Sequence, residues 1–93
     1  MNMIIDVKNE LINNINKIHT TLMGVDRIKN NLKLSDIDVV EYLINKIKDK
    51  NSYIYKNGKN YYVEIDHIII TVNSYSFTII TAHKLRWFYE FNE

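Results

Sequence analysis

The fold is decided by residues 52–65, SYIYKNGKNYYVEI, where large apolar and polar side chains alternate on either side of Asn57-Gly58. A period of two is the mark of a half-buried strand, and β-branched and aromatic side chains suit a pleated surface. Asn-Gly between two such runs predicts a tight type I′ hairpin, because both central residues of that turn must tolerate positive φ. Downstream, Asp66-His67 and Asn73-Ser74 separate two further runs, IIITV at 68–72 and YSFTII at 75–80. Consecutive strands with short connections usually pair with their neighbours. The reading is therefore a four-stranded antiparallel meander, with strands at about 53–56, 59–65, 68–72 and 75–82.

Upstream of this stretch the period changes. Ile4, Val7 or Lys8, Leu11, Ile15 and Ile18 recur at spacings of three and four, which predicts a helix over 4–19. Thr20-Thr21 followed by Gly24 favours a turn that can cap a second helix over 25–32. Ser35 and Asp38 have the spacing of a capping box, and Ile37, Val40, Leu43, Ile44 and Ile47 continue with helical spacing, which predicts a third helix over 36–49. Lys46, Lys48 and Lys50 at its end suit the helix dipole.

The chain thus reads as one α+β domain over residues 1–93, with three N-terminal helices packed on one face of the meander and a short aromatic C-terminal segment. That segment holds Leu85, Trp87, Phe88, Tyr89 and Phe91, too much apolar surface to leave in water. It is expected to pack on the sheet or to meet a partner.

Length and composition narrow the functions. Ninety-three residues, 46% of them hydrophobic, make a single small domain. The absence of cysteine excludes disulfides, thiolate zinc sites and a cysteine nucleophile together. Asp6 and Glu10 interrupt the apolar run a secretory signal needs, and no stretch is long enough to span a bilayer, so a cytoplasmic protein without membrane contact is expected. Two glycines cannot build a glycine-rich phosphate loop, and no HExxH spacing occurs, so neither cofactor nor metal is expected.

A net charge of +1 lacks the strong positive field of dedicated nucleic-acid binders. Lys46, Lys48, Lys50, Lys56 and Lys59 nevertheless make one segment distinctly basic. Their ordinary role is solvation, and their functional one is contact with RNA or a partner. Strand alternation puts Ile68, Ile70, Val72, Tyr75, Phe77 and Ile79 on one face and Ile69, Thr71, Asn73, Ser76, Thr78 and Ile80 on the other. The second face, joined by Asn60 and Tyr62, is rich in groups able to bond phosphate or ribose, although threonine is also an ordinary exposed strand residue.

Candidate chemistry centres on two histidines. His19, at the end of the first helix, and His83, at the end of the last strand, are expected to approach each other. Imidazole can give and take a proton near neutral pH, as RNA cleavage by the 2′-hydroxyl requires, and Arg27 or Lys84 could stabilise the phosphorane charge without a metal. The ordinary role of each histidine is a surface or capping one. His67 falls in a turn and is not assigned.

The runs KIHTTLMGVDRIKNNL (17–32), GKNYYVEID (58–66) and ITVNSYSFTIITAHK (70–84) occur in order over Lys17 to Lys84, and together they resemble a family of short bacterial proteins known only as a domain of unknown function. That resemblance transfers no activity. More remotely, a helix bearing His and a following Arg, then a helix and a meander, looks like the RelE and BrnT class of small ribonuclease toxins. On that analogy His19, Arg27, Thr81, His83 and Lys84 occupy active-site edges.

The leading expectation is an RNA-directed, toxin-like protein acting as a metal-independent endoribonuclease, with an antitoxin partner. The alternative is a non-catalytic phage or mobile-element inhibitor, anti-CRISPR-like or otherwise anti-defence, that docks on a host defence complex through Trp87 and Phe88, since aromatic anchors dominate such interfaces. A homodimer paired through the aromatic tail is a further expectation.

Overall fold

The computed structural model of the chain describes residues 6–85. Its elements are α1 (Val7–Asn13), a 3₁₀ turn (Ile15–Lys17), α2 (Leu22–Leu32), α3 (Val39–Lys48), β1 (Tyr53–Asn57), β2 (Asn60–Ile65), β3 (Ile68–Asn73) and β4 (Ile79–Lys84). The strands form one antiparallel sheet in the order β1-β2-β3-β4, the expected meander, and the class is α+β. Ile4 of the expected first helix, and Trp87, Phe88, Tyr89 and Phe91 of the aromatic segment, lie outside the described residues.

The two tight hairpins exchange their expected chemistry. Asn57 pairs with Asn60, so the central residues of the first turn are Gly58 and Lys59, one step later than expected. Only Gly58 has positive φ there, 62°, which is the signature of type II′ with glycine first rather than of type I′. The turn with positive φ at both centres is Asp66-His67, at 51° and 64°, between the paired Ile65 and Ile68. Aspartate and histidine enter this region more readily than most non-glycine residues. The Asp66 carboxylate also accepts a 2.5 Å hydrogen bond from Lys46 Nζ, which ties the turn to α3.

Each helix differs from its sequence pattern at an end, for a local reason. Asp6 caps α1 by accepting from the Asn9 amide at 3.1 Å. The helix stops at Asn13, not near 19, because Asn14 donates its side-chain amide to the Glu10 carbonyl at 2.8 Å, and the 3₁₀ turn that follows gives way to extended backbone at Ile18. Thr21 caps α2, accepting from the Gly24 amide, so α2 starts at Leu22 and Gly24 lies inside its first turn. A Cβ on Gly24 would collide with the Thr20 hydroxyl, which donates to the Ile79 carbonyl at 2.9 Å. The α3 cap is Asp38, accepting from the Glu41 amide at 3.1 Å, so the helix is capped at Asp38 and not at Ser35.

The last strand is displaced by an asparagine. Asn73 Oδ1 accepts from the amides of Tyr75 and Ser76, both at 2.9 Å, and holds residues 74–78 in a loop with Phe77 at φ 59°. Thus β4 occupies 79–84 rather than 75–82, and Tyr75, expected on the core face, is exposed. Within β4, Thr81 pairs with Thr71 and Ile79 with Val72, so Ile80 is the extra residue of a β-bulge. That bulge lets both Ile79 and Ala82 face inward while Ile80 turns out.

One core joins the layers. Leu11 of α1, Ile28 and Leu32 of α2, and Val39, Leu43 and Ile47 of α3 form a continuous buried cluster with Ile54, Tyr61, Val63, Ile65, Ile68, Ile70, Val72, Ile79 and Ala82 of the sheet. Each large side chain withdrawn from water in this way contributes about 1.5–3 kcal/mol. Thr71, expected on an open hydroxyl-rich face, is also buried, lying in register between Tyr62 and Thr81.

Candidate nucleic-acid interface

Opposite the buried side chains of β2, the pairing register sets two rows across the sheet. One runs Tyr55, Tyr62, Thr71, Thr81 and the other Tyr53, Glu64, Ile69, His83. The rings of Tyr55 and Tyr62 stack with centroids 5.4 Å apart at 20°, and Tyr53 lies 5.4 Å from Tyr55 at 40°. Tyr53 is 63% exposed. The Tyr55 hydroxyl donates to Glu64 at 3.1 Å, and burial followed by this bond to a carboxylate raises its pKa above the usual phenol value.

This three-ring ladder combines one residue of the expected face, Tyr62, with two that sequence reading did not assign. Its signal was present: Tyr53 and Tyr55 share a strand face, and the correct hairpin centre puts Tyr55 opposite Tyr62. Centring the turn on Asn57-Gly58 instead opposes Tyr55 to Asn60, which hides the stack.

The basic residues separate into two groups. Lys46 pairs with Asp66 and lies 5.3 Å from the Tyr42 ring centroid, and the Asp66 hydrogen bond raises its pKa. Lys56 lies 3.7 Å from Glu10 and 5.5 Å from the Tyr61 ring. Both therefore have structural employment, while Lys48, Lys50 and Lys59 are exposed near the approach to β1 and in its hairpin. Lys8, which the sequence did not single out, donates to the carbonyls of Asp49, Lys50 and Ser52 at 2.9–3.2 Å and closes the end of α3 onto α1.

His19 does not end a helix but forms a parallel bridge with Thr78. Its Nδ1 lies 2.8 Å from the Lys17 carbonyl, which can only accept, so Nδ1 carries a proton. Nε2 lies 3.1 Å from the Thr78 hydroxyl, itself 2.8 Å from that of Ser76, which reaches Asn73 Oδ1 at 3.2 Å. Arg27 donates to the Ile80 carbonyl at 3.4 Å, and Asn31 to Thr81 Oγ1 at 3.5 Å and to the Ala82 carbonyl at 3.2 Å.

His83 lies exposed near the other end of β4, paired in register with Ile69, its Nδ1 3.1 Å from the Lys84 carbonyl. Four residues of β4, 79–82, lie between it and Thr78, the residue that His19 meets. The expected meeting of His19 and His83 is not made, because residues 18–20 run beside the start of β4 rather than its end. The structure brings together His19, Ser76 and Thr78, places Arg27 on the Ile80 carbonyl, and leaves His83 near the far end of β4. Trp87 and Phe88 lie outside the described residues.

Among the described residues no group of three or more His, Asp or Glu is placed to hold a metal ion, and no helix is long and apolar enough to cross a membrane. An open polar groove of about 470 Å³ between Asp26, Lys29, Asn30, Leu34, Ser35 and Asp36 contains none of the expected site residues.

Helices followed by a four-stranded antiparallel meander define a small α+β domain that carries stacked tyrosines on its first two strands. The chain belongs to the family described as Protein of unknown function (DUF3781), whose model matches residues 12–83. No curated protein and no solved structure matches it. Nothing in these comparisons links it to RelE or BrnT.

Proposed function

We propose that the chain is a small RNA-directed protein that takes unpaired RNA on the open face of its sheet, with the three helices covering the other face. The observation that carries this reading is the ladder of Tyr53, Tyr55 and Tyr62. Every base has a face to stack, and base–aromatic stacking is worth about 1–3 kcal/mol per base. Duplex RNA hides its bases, so single strands are favoured. Lys48, Lys50 and Lys59 supply the phosphate contacts, and so few of them imply modest affinity and a shallow dependence on salt.

Fluorescence anisotropy with labelled single-stranded RNA tests this, with duplex RNA as the control. Tyr62→Ala should weaken single-strand binding by roughly 5- to 150-fold, the equivalent of one lost stack. Equal affinity of wild type and variant, or a preference for duplex, would sink the reading. Cleavage is a separate step and falls to His19 with Arg27. If wild type and His19→Ala leave RNA equally intact in chelator, the endoribonuclease part is lost while the binding part stands.

A second reading, docking on a host defence complex, is favoured by one observation. Leu22 and Met23 in the first turn of α2 are 87% and 74% exposed. The Thr20–Ile79 hydrogen bond sets this turn beside the outward-facing Ile80. Protection of phage in a defended host that survives Tyr55→Ala and is abolished by Leu22→Asp with Met23→Asp would favour docking over RNA binding.

A further inference from the structure

We propose that β1 is a self-pairing edge, through which two copies of the chain join their sheets antiparallel across a twofold axis at Tyr55. The dimer does not depend on the RNA reading. The two edges of the sheet are finished differently.

Along β4 the entry of the strand and its outward carbonyls are taken. The His19 amide donates to the Phe77 carbonyl at 3.2 Å, and the Ile79 amide to the His19 carbonyl at 2.7 Å. Side chains of Thr20, Arg27 and Asn31 then take the carbonyls of Ile79, Ile80 and Ala82. An edge whose outward carbonyls are taken in this way is a poor template for another strand.

Among the described residues β1 has no such cover. Residues of an antiparallel strand alternate between bonding their neighbour and pointing the opposite way. The two-residue turn makes Asn57 and Asn60 a hydrogen-bonded pair, so Tyr55 and Tyr53 bond towards β2 through Tyr62 and Glu64. Ile54 and Lys56 therefore direct their N–H and C=O groups outward, where none of the four has a partner among the described residues. The usual guard of such an edge is a free lysine, but Lys56 is drawn aside to Glu10 and the Tyr61 ring.

The strand that fits is β1 itself. With the axis at Tyr55, Ile54 of each copy exchanges both backbone hydrogen bonds with Lys56 of the other, a self-complementary set as closed twofold symmetry requires. Lysine then faces isoleucine, and Tyr53 faces Asn57, so no like charges meet. The two Tyr55 side chains become a directly opposed pair on the open face, where opposed side chains approach most closely. Each already stacks on its own Tyr62, so the rings continue in line across the axis.

Sedimentation equilibrium over roughly 1 μM to 1 mM, the range suited to a small interface, tests this. Wild type should rise towards twice the 11.1 kDa chain mass. Tyr55→Asp and Tyr55→Lys should each stay monomeric, because like charges meet at the axis, and an equimolar mixture should regain the dimer. Lys56→Pro, which removes an outward N–H without touching the sheet's own bonds, should also be monomeric and serves if a Tyr55 variant fails to fold. The proposal is overturned by a wild type monomeric throughout, by variants that dimerise like wild type, which would put the interface elsewhere, or by a mixture of folded variants that stays monomeric.

Discussion

The hydroxyl of Thr78 lies 3.1 Å from Nε2 of His19, across 59 residues of chain, and this contact pins the extended segment before α2 to the entry of β4. The Lys17 carbonyl holds the proton on Nδ1, so in neutral His19 the Nε2 lone pair accepts from Thr78. Nitrogen NMR of the imidazole should show the Nδ1–H tautomer. Thr78→Val should shift the Nε2 resonance and cost about 0.5–1 kcal/mol in a urea titration, the lower range for a solvent-accessible hydrogen bond. An Nε2–H tautomer would show that the ring is held differently.

Gly24 is constrained by packing against Thr20 rather than by turn geometry. Gly24→Ala gains helix propensity of about 1 kcal/mol but drives a methyl into the Thr20 hydroxyl, an overpacking cost of roughly 1–3 kcal/mol. The expected net effect is destabilisation that shrinks markedly in a Thr20→Ala background. A double-mutant cycle by thermal melts reads the coupling, and strict additivity would place the cost elsewhere.

Tyr61 makes stability fall in alkali. Its ring is buried and its hydroxyl donates to Glu10, so burial, followed by that bond, pushes its pKa well above the ordinary value of 10.0. A group with a raised folded pKa contributes stability that is complete below its unfolded pKa and is lost as pH rises towards the folded one. Urea midpoints should therefore hold near neutral pH and decline above about pH 10. Tyr61→Phe should cost about 1 kcal/mol at pH 7 and flatten part of that decline, Tyr55 supplying another part through its own raised pKa.

Gly58 carries φ 62° at the first centre of its hairpin, with open space around it. Gly58→Ala meets no neighbour, so its whole effect is backbone strain, about 1 kcal/mol of destabilisation. Chemical denaturation of the variant checks this, and an unchanged midpoint would mean that the turn relaxes to another type.

Much of the scaffold was legible from local pattern. The change from helical to strand period near Asn51, the four strands in order and the Thr20-Thr21 cap region all follow from side-chain spacing. Element ends were less legible, because they are set by single hydrogen bonds such as Asn14 to Glu10 and Asn73 to Tyr75 and Ser76, which compete with the periodic pattern over one or two residues. Tyr62 was read only as part of a hydroxyl-rich face, and its stacking with Tyr55 and Tyr53 was hidden by a one-step error in the hairpin centre.

By itself the sequence determined the class, α+β with helices before a meander, because periodicity and turn chemistry are local properties that burial then reinforces. Only the tertiary structure decided which distant groups meet. His19 joins Thr78 and not His83, because the bulge at Ile80 and the loop after Asn73 set where β4 starts and which way its side chains turn. Tyr55 stacks on Tyr62 for a similar reason, since a strand's partner depends on a register that one turn residue can move.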